Sequence, residues 1–138
     1  MSGVEITILI SILSTLVGTL IGLFVAIVRL RADRMKRKSI VAGIAALYVD
    51  IIRGTPSVLQ LMIIYFAVFH SRLGYLAAVV SFGINSGAYV SEVIRGGILA
   101  VDKGQTEAGR SLGMSYTDTM SFVILPQAVK KYPPGTRK

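Results

Sequence analysis

The sequence has no cysteine and no tryptophan, and it holds a single histidine, His70. Without cysteine, disulfides and thiolate metal sites are excluded. One histidine is too few for an imidazole-built metal or catalytic centre. Charge is scarce as well. Asp, Glu, Lys and Arg make up 16% of the 138 residues, against about a quarter in ordinary soluble domains. Acids are the rarest part of that fraction, with 7 against 15 Lys and Arg and a net charge of +8. Such a balance suits nucleic acid, an anionic lipid surface or the cytoplasmic loops of a membrane protein, and the placement of the basic residues decides among them.

What is present is apolar, 53% of the chain, and it is gathered in blocks. The first block, Ile6 to Val28, is uncharged and 23 residues long, enough for a helix to cross roughly 30 Å of hydrocarbon. It is not a secretory signal, because no Lys or Arg precedes it and its apolar core is too long. Gly18 and Gly22 form a small-xxx-small pair. They are either a close helix contact in lipid or ordinary membrane-helix glycines. The run RLRADRMKRK, Arg29 to Lys38, then places six basic residues against one acid, Asp33, with no interleaved aromatics. Beside an apolar helix, that run marks a cytoplasmic loop. The amino terminus is therefore expected outside.

The second region, 39–69, is expected to be an interrupted helix and a second span, broken by RGTP at Arg53 to Pro56, since proline removes a donor and disfavours helix before it. Asp50 and Arg53 are three apart on one helical face and can pair, so pairing or interfacial placement is expected. His70 to Gly74 reads as a short outer loop. The third span, 75–101, carries Asn85 and Ser86 near mid-depth, then Tyr89, and then Glu92 and Arg95 on one helical face. Asn85 is expected either to make an interhelical hydrogen bond or to line a solute path. The segment 102–131 must then be cytoplasmic, and Lys103, Arg110, Lys130 and Lys131 agree with that placement.

The cytoplasmic stretch DKGQTEAGRSLGMSYTDTMSFVILPQAVKK reads as two short helices. Thr106 to Leu112 is the first, Gly113 is a natural left-handed C-terminal residue, and Ser115 caps the next. Asp118 sets a carboxylate near that helix's positive end. Pro126 is expected to interrupt the apolar run FVILP. The result is a compact helical knob suited to a groove on a partner protein.

These residues also carry a resemblance. Glu107-Ala108-Gly109, then Gly113, then Leu125-Pro126 resemble the EAA loop of ATP-binding-cassette importer permeases. VDIIRGTPSVLQLMIIYF and INSGAYVSEVIRGGILAVDKGQTEAGRSLGMS resemble the polar amino-acid branch of that family, the histidine, glutamine and arginine type. The likeness runs from about Thr7 to Pro134. Gly109 stands where the general motif prefers alanine, and Val123 where it prefers isoleucine. The resemblance implies an all-α membrane protein, with about three transmembrane helices followed by a cytoplasmic coupling loop in a single permease domain, 1–138. It implies a multi-pass, non-catalytic subunit of a bacterial inner membrane with no cofactor of its own. Its partners would be a second permease subunit, a cytoplasmic ATPase and an extracytoplasmic solute-binding protein. Glu107, Ala108, Gly109 and Arg110 would enter the ATPase cleft, Gly113 would allow the turn, and Leu125 and Pro126 complete the coupling motif. Asn85, Ser86 and Tyr89 are the candidate solute-path residues. No G-x-x-x-x-G-K-[ST] loop occurs, so ATP is expected to bind the partner.

The family continues into about two further spans after the EAA loop. An incomplete type I importer permease domain is therefore expected, from a truncated or frameshifted product or a fragment. A non-functional remnant and a permease for another solute are the alternatives. A membrane-tethered helix-turn-helix regulator is disfavoured. Its recognition helix, SYTDTMSFV, carries Asp118 and no Arg, Lys, Asn or Gln to read bases or hold phosphates.

Overall fold

The computed structural model describes residues 3–35, 39–69 and 74–131. The outer loop expected at His70 to Gly74 lies largely outside them, as do the end of the basic run, 36–38, and the tail, 132–138. The described residues are helical with short breaks: α1 (Gly3–Met35), α2 (Ile40–Gly54), α3 (Ser57–Ile63), α4 (Gly74–Leu99), α5 (Lys103–Ser111), α6 (Tyr116–Asp118) and α7 (Leu125–Lys131). Two stretches widen into π-helix, Ile64–Val68 after α3 and Thr119–Ile124 between α6 and α7. The chain divides into two compact units, Met1–Glu92 and Val93–Lys138.

Two helices, α1 with 33 residues and α4 with 26, are long and apolar enough to cross a membrane. The pair Ile40–Gly54 and Ser57–Val68 makes a third such segment if counted together, bent by 106° at its break. The break falls at Thr55-Pro56, where the sequence places it. Pro56 has no N–H to give the carbonyl four residues back, at Ile52. Gln60 supplies the missing donor. Its side-chain amide donates to Ile52 O at 2.7 Å and to Thr55 O at 2.9 Å, and the residue is 8% exposed.

In the first unit, α1 and α4 run parallel and meet through glycine. A Cβ at Gly18 would lie 2.7 Å from Ser86 Cβ, and one at Gly22 would lie 2.7 Å from Val90 Cβ. In return, a Cβ at Gly83 would lie 2.8 Å from Val17 Cγ1, and one at Gly87 would lie 2.8 Å from Ile21 Cγ2. Of the two readings left open for Gly18 and Gly22, the close helix contact holds. Small residues let backbones approach where lipid gives no hydrophobic push between helices. A small core of Val25, Val49 and Ala88 closes against α2, and Tyr48 O–H donates to Ile84 O at 2.6 Å. Outward faces stay apolar, with Leu20 69%, Phe24 67% and Ile40 84% exposed.

Parallel α1 and α4 require the intervening chain to travel back, which α2 and α3 do. Two expectations are corrected here. Arg53 turns from Asp50, its neighbour on α2, to Glu92 Oε2 at 3.4 Å, and Asp50 is exposed. Arg29 is more than a topology signal, because it pairs with Glu92 Oε1 across 63 positions in sequence.

Gly22→Ala is expected to lower the unfolding temperature in detergent, at a cost of about 1–3 kcal/mol for overpacking. Gly43→Ala, whose new methyl meets nothing within 4 Å, should instead stabilise by about 0.5–1 kcal/mol through helix propensity. Equal unfolding temperatures for the two variants would contradict the close crossing.

Candidate functional site

The second unit is built by local capping. Asp102 accepts from Gly104 N at 2.7 Å and opens α5 three residues earlier than the sequence reading placed it. The helix closes in a Schellman turn: Met114 N donates to Gly109 O and Gly113 N to Arg110 O, both at 3.0 Å. Gly113 has φ 75°, a conformation other residues adopt only at a cost. Ser115 then caps the next segment. Its Oγ accepts from Asp118 N at 3.2 Å and donates to Asp118 Oδ2 at 2.6 Å.

Pro126 does not interrupt the helix as expected. It sits inside α7, directly after the π stretch Thr119–Ile124. A π turn shifts the carbonyls that proline would otherwise leave unbonded or strike, so the helix continues past it. Val101, Ile124 and Ala128 form the core of the unit, with Ile98, Met120 and Val123 against it. Gln127 donates to Gln105 Oε1 at 3.1 Å and ties α7 to α5.

This scaffold sorts the candidate coupling residues. Glu107, Ala108 and Arg110 are exposed on α5, and Leu125 and Pro126 are exposed on α7. Gly109 points inward. A Cβ there would lie 2.7 Å from Thr119 Cγ2 and 2.8 Å from its Oγ1, and Thr119 is 1% exposed. Thr119 thus fills the space that a Cβ at 109 would need, which gives the glycine there a structural reason.

The candidate solute-path residues lie in the first unit. Asn85 donates to Gln60 Oε1 at 3.1 Å, the interhelical bond of its first reading. Asn85 and Ser86 also line a groove of about 490 Å³ between α1 and α4. Tyr89 is not part of that wall. Its ring lies 5.3 Å beneath the Arg53 guanidinium, a cation–π contact. Arg53 in turn shares Glu92 with Arg29. One carboxylate therefore ties α1, α2 and α4, with side-chain exposures of 15% at Arg29, 27% at Glu92 and 43% at Arg53.

Gln60, Arg29 and Glu92 were not read as partners from the sequence. The available signal was that polar side chains in apolar segments need partners. Among the described residues there is no cluster of three or more His, Cys, Asp or Glu to hold a metal.

Two variants test these contacts. Gly109→Ala is expected to destabilise by about 1–3 kcal/mol, and adding Thr119→Ala should recover part of that loss in a double-mutant cycle. Strict additivity would show that the two residues do not touch. Glu92→Gln strands Arg29 and should cost about 3 kcal/mol, whereas the Arg29→Met/Glu92→Met pair should lose less than the single change. Detergent unfolding curves read both.

Comparison with known proteins accounts for both units. The family described as binding-protein-dependent transport system inner membrane component matches residues 18–136. The arginine transport system permease protein ArtQ of Bacillus subtilis (strain 168) is 50% identical over 67% of this chain and 44% of its own. The glutamine transport system permease protein GlnP of Escherichia coli (strain K12) is 46% identical over 66% of this chain and 44% of its own. The putative glutamine transport system permease protein GlnP of Rickettsia prowazekii (strain Madrid E) is 41% identical over 98% of this chain and 62% of its own. A crystal structure of an amino acid ABC transporter with histidines superposes with a TM-score of 0.72 at 41% identity, covering 88% of this chain and 56% of that one. The chain thus spans about half the length of these relatives. With a family match over most of its residues and a shared helical fold, this chain belongs to the binding-protein-dependent transport system inner membrane components.

Proposed function

We propose that this chain is permease sequence of an ATP-driven importer of polar amino acids, lining part of the solute path and docking on a cytoplasmic ATPase. The observation that carries this reading is the knob of the second unit. Its Schellman turn and serine cap fix a short helix whose exposed face presents Glu107, Ala108 and Arg110. A rigid helix with a charged and small-residue face fits a groove on a partner protein. The names of the relatives, arginine and glutamine permeases, support the solute class. A second permease subunit and an extracytoplasmic solute-binding protein complete the assembly. Hydrolysis belongs to the ATPase, and this subunit is non-catalytic.

The orientation follows from charge. Residues 29–38 and 102–138 face the cytoplasm and the amino terminus faces outward, as the basic residues at both segments require. In this reading α1 and α4, which run in the same direction, both pass from outside to inside. Asn85 and Ser86 serve the path by lining the groove, and Tyr89 serves by holding Arg53 over its ring. Gly109 and Gly113 shape the coupling knob, while Leu125 and Pro126 belong to its second helix.

Ala108→Cys, exposed on α5, is expected to cross-link to an ATPase subunit in membranes under conditions that trap the complex. Ile12→Cys on α1 should not. No ATPase adduct at Ala108 with the complex trapped would refute the docking role.

A further inference from the structure

We infer that the helical segment 116–131 lies in the cytoplasmic surface of the bilayer, with Phe122, Leu125 and Val129 at the acyl chains and Lys130 on anionic headgroups. This rests on the orientation proposed above, which puts residues 102–138 on the cytoplasmic side. It gives that unit a second contact besides the ATPase.

The segment is helical from Tyr116 to Lys131, with the π stretch in its middle. Its inner side is filled. Thr119 is buried against Gly109 of α5, and Ile124 and Ala128 are buried in the core with Val101. Phe122, Leu125 and Val129 stay outside that core, 73%, 41% and 77% exposed. Spacings of three and four residues align them along the helix. Apolar side chains exposed singly are ordinary, but an aligned row marks a contact.

The place of the row selects its partner. Ile98, in the last turn of α4, packs against the Val101, Ile124 and Ala128 core within the same unit. The 26 residues of α4 make about 39 Å of helix, against roughly 30 Å of hydrocarbon. As a membrane span, α4 ends at the headgroups, and the segment 116–131 is fastened to that end. The exposed side of α5 is of another kind, with Lys103, Glu107 and Arg110, and suits water or a polar groove. One small unit thus carries a charged surface for a cytoplasmic partner and an apolar row for lipid.

Charge agrees with a lipid surface. From Val93 to Lys138 there are seven Lys and Arg against three acids, and the acids, Asp102, Glu107 and Asp118, all precede the row. Lys130 is exposed beside Val129 at its end. An apolar row bordered by lysine is the pattern of a helix lying in an anionic membrane surface. The lysine stem covers apolar surface while its ammonium meets phosphate.

The chain has no tryptophan, so Phe122→Trp supplies a single fluorescent reporter. The full chain is reconstituted in vesicles of equal parts phosphatidylcholine and phosphatidylglycerol, with a fraction of the phosphatidylcholine brominated near the top of its acyl chains. The indole at 122 is expected to be quenched about twofold or more beyond one placed by Ser111→Trp on exposed α5. Val129→Trp repeats the reading should the first variant not fold. Adding Lys130→Glu should lower the quenching, as should phosphatidylcholine alone at the same brominated fraction. Quenching at 122 and 129 no greater than at 111 overturns the inference, whether the indole stays in water or is shielded only by added ATPase. Quenching indifferent to both Lys130 and phosphatidylglycerol overturns the headgroup contact. The Ala108→Cys cross-link to the ATPase reports separately on the docking role. A cross-link without quenching sinks only the lipid contact, and quenching without a cross-link sinks only the docking.

Discussion

Two pairs of glycines set the distance between α1 and α4, and the chemistry of the first unit depends on that distance. Gly18 and Gly22 face Gly83 and Gly87 so closely that any Cβ would collide with a neighbouring side chain. In lipid, apolar side chains gain little by turning toward one another, so backbone proximity and interhelical hydrogen bonds carry the association. Near contact of the two backbones lets Ser14 reach Val79 O at 3.5 Å on one side of the crossing. On the other side it brings Arg29 to Glu92. The groove and the charged cluster are two consequences of one packing geometry.

Gln60, Asn85, Arg29 and Glu92 are paired because an apolar surrounding leaves few alternatives, while the buried hydroxyl of Ser81 has no partner among the described residues. An unsatisfied amide or carbonyl costs several kcal/mol at membrane depth. Pro56 creates such a debt at Ile52 O, and Gln60 settles it while accepting from Asn85. The bend between α2 and α3 is thereby fastened to α4. Glu92 does the equivalent work for charge, since it receives Arg29 from α1 and Arg53 from α2.

The second unit obeys a different economy. Its turn and caps are made by residues within a few positions of one another: Asp102 with Gly104, Gly113 with Arg110, Ser115 with Asp118. Such contacts need no distant partner. A short segment can therefore present a fixed face to another protein with a core of only a few side chains.

That difference explains what could be read in advance. Helix-length apolar runs, the break before Pro56, the left-handed turn at Gly113 and the serine cap were all legible, because each is decided by backbone geometry over three or four residues. The passage of the helix through Pro126 was not, since a π turn upstream absorbs it and no propensity announces one. Asp50 looked like the partner of Arg53 because helical spacing put them on one face. Glu92 prevailed because it lies where α1 and α2 both meet α4. The sequence by itself determined the apolar helical runs and their order, the break at Pro56, the turn at Gly113 and the cap at Ser115. Tertiary structure alone decided that Arg29 meets Glu92, that Gln60 meets Asn85 and that Thr119 fills the space beside Gly109. Those partners lie 63, 25 and 10 positions apart, and the periodicity of a helix carries no information about which face of a distant helix it will meet.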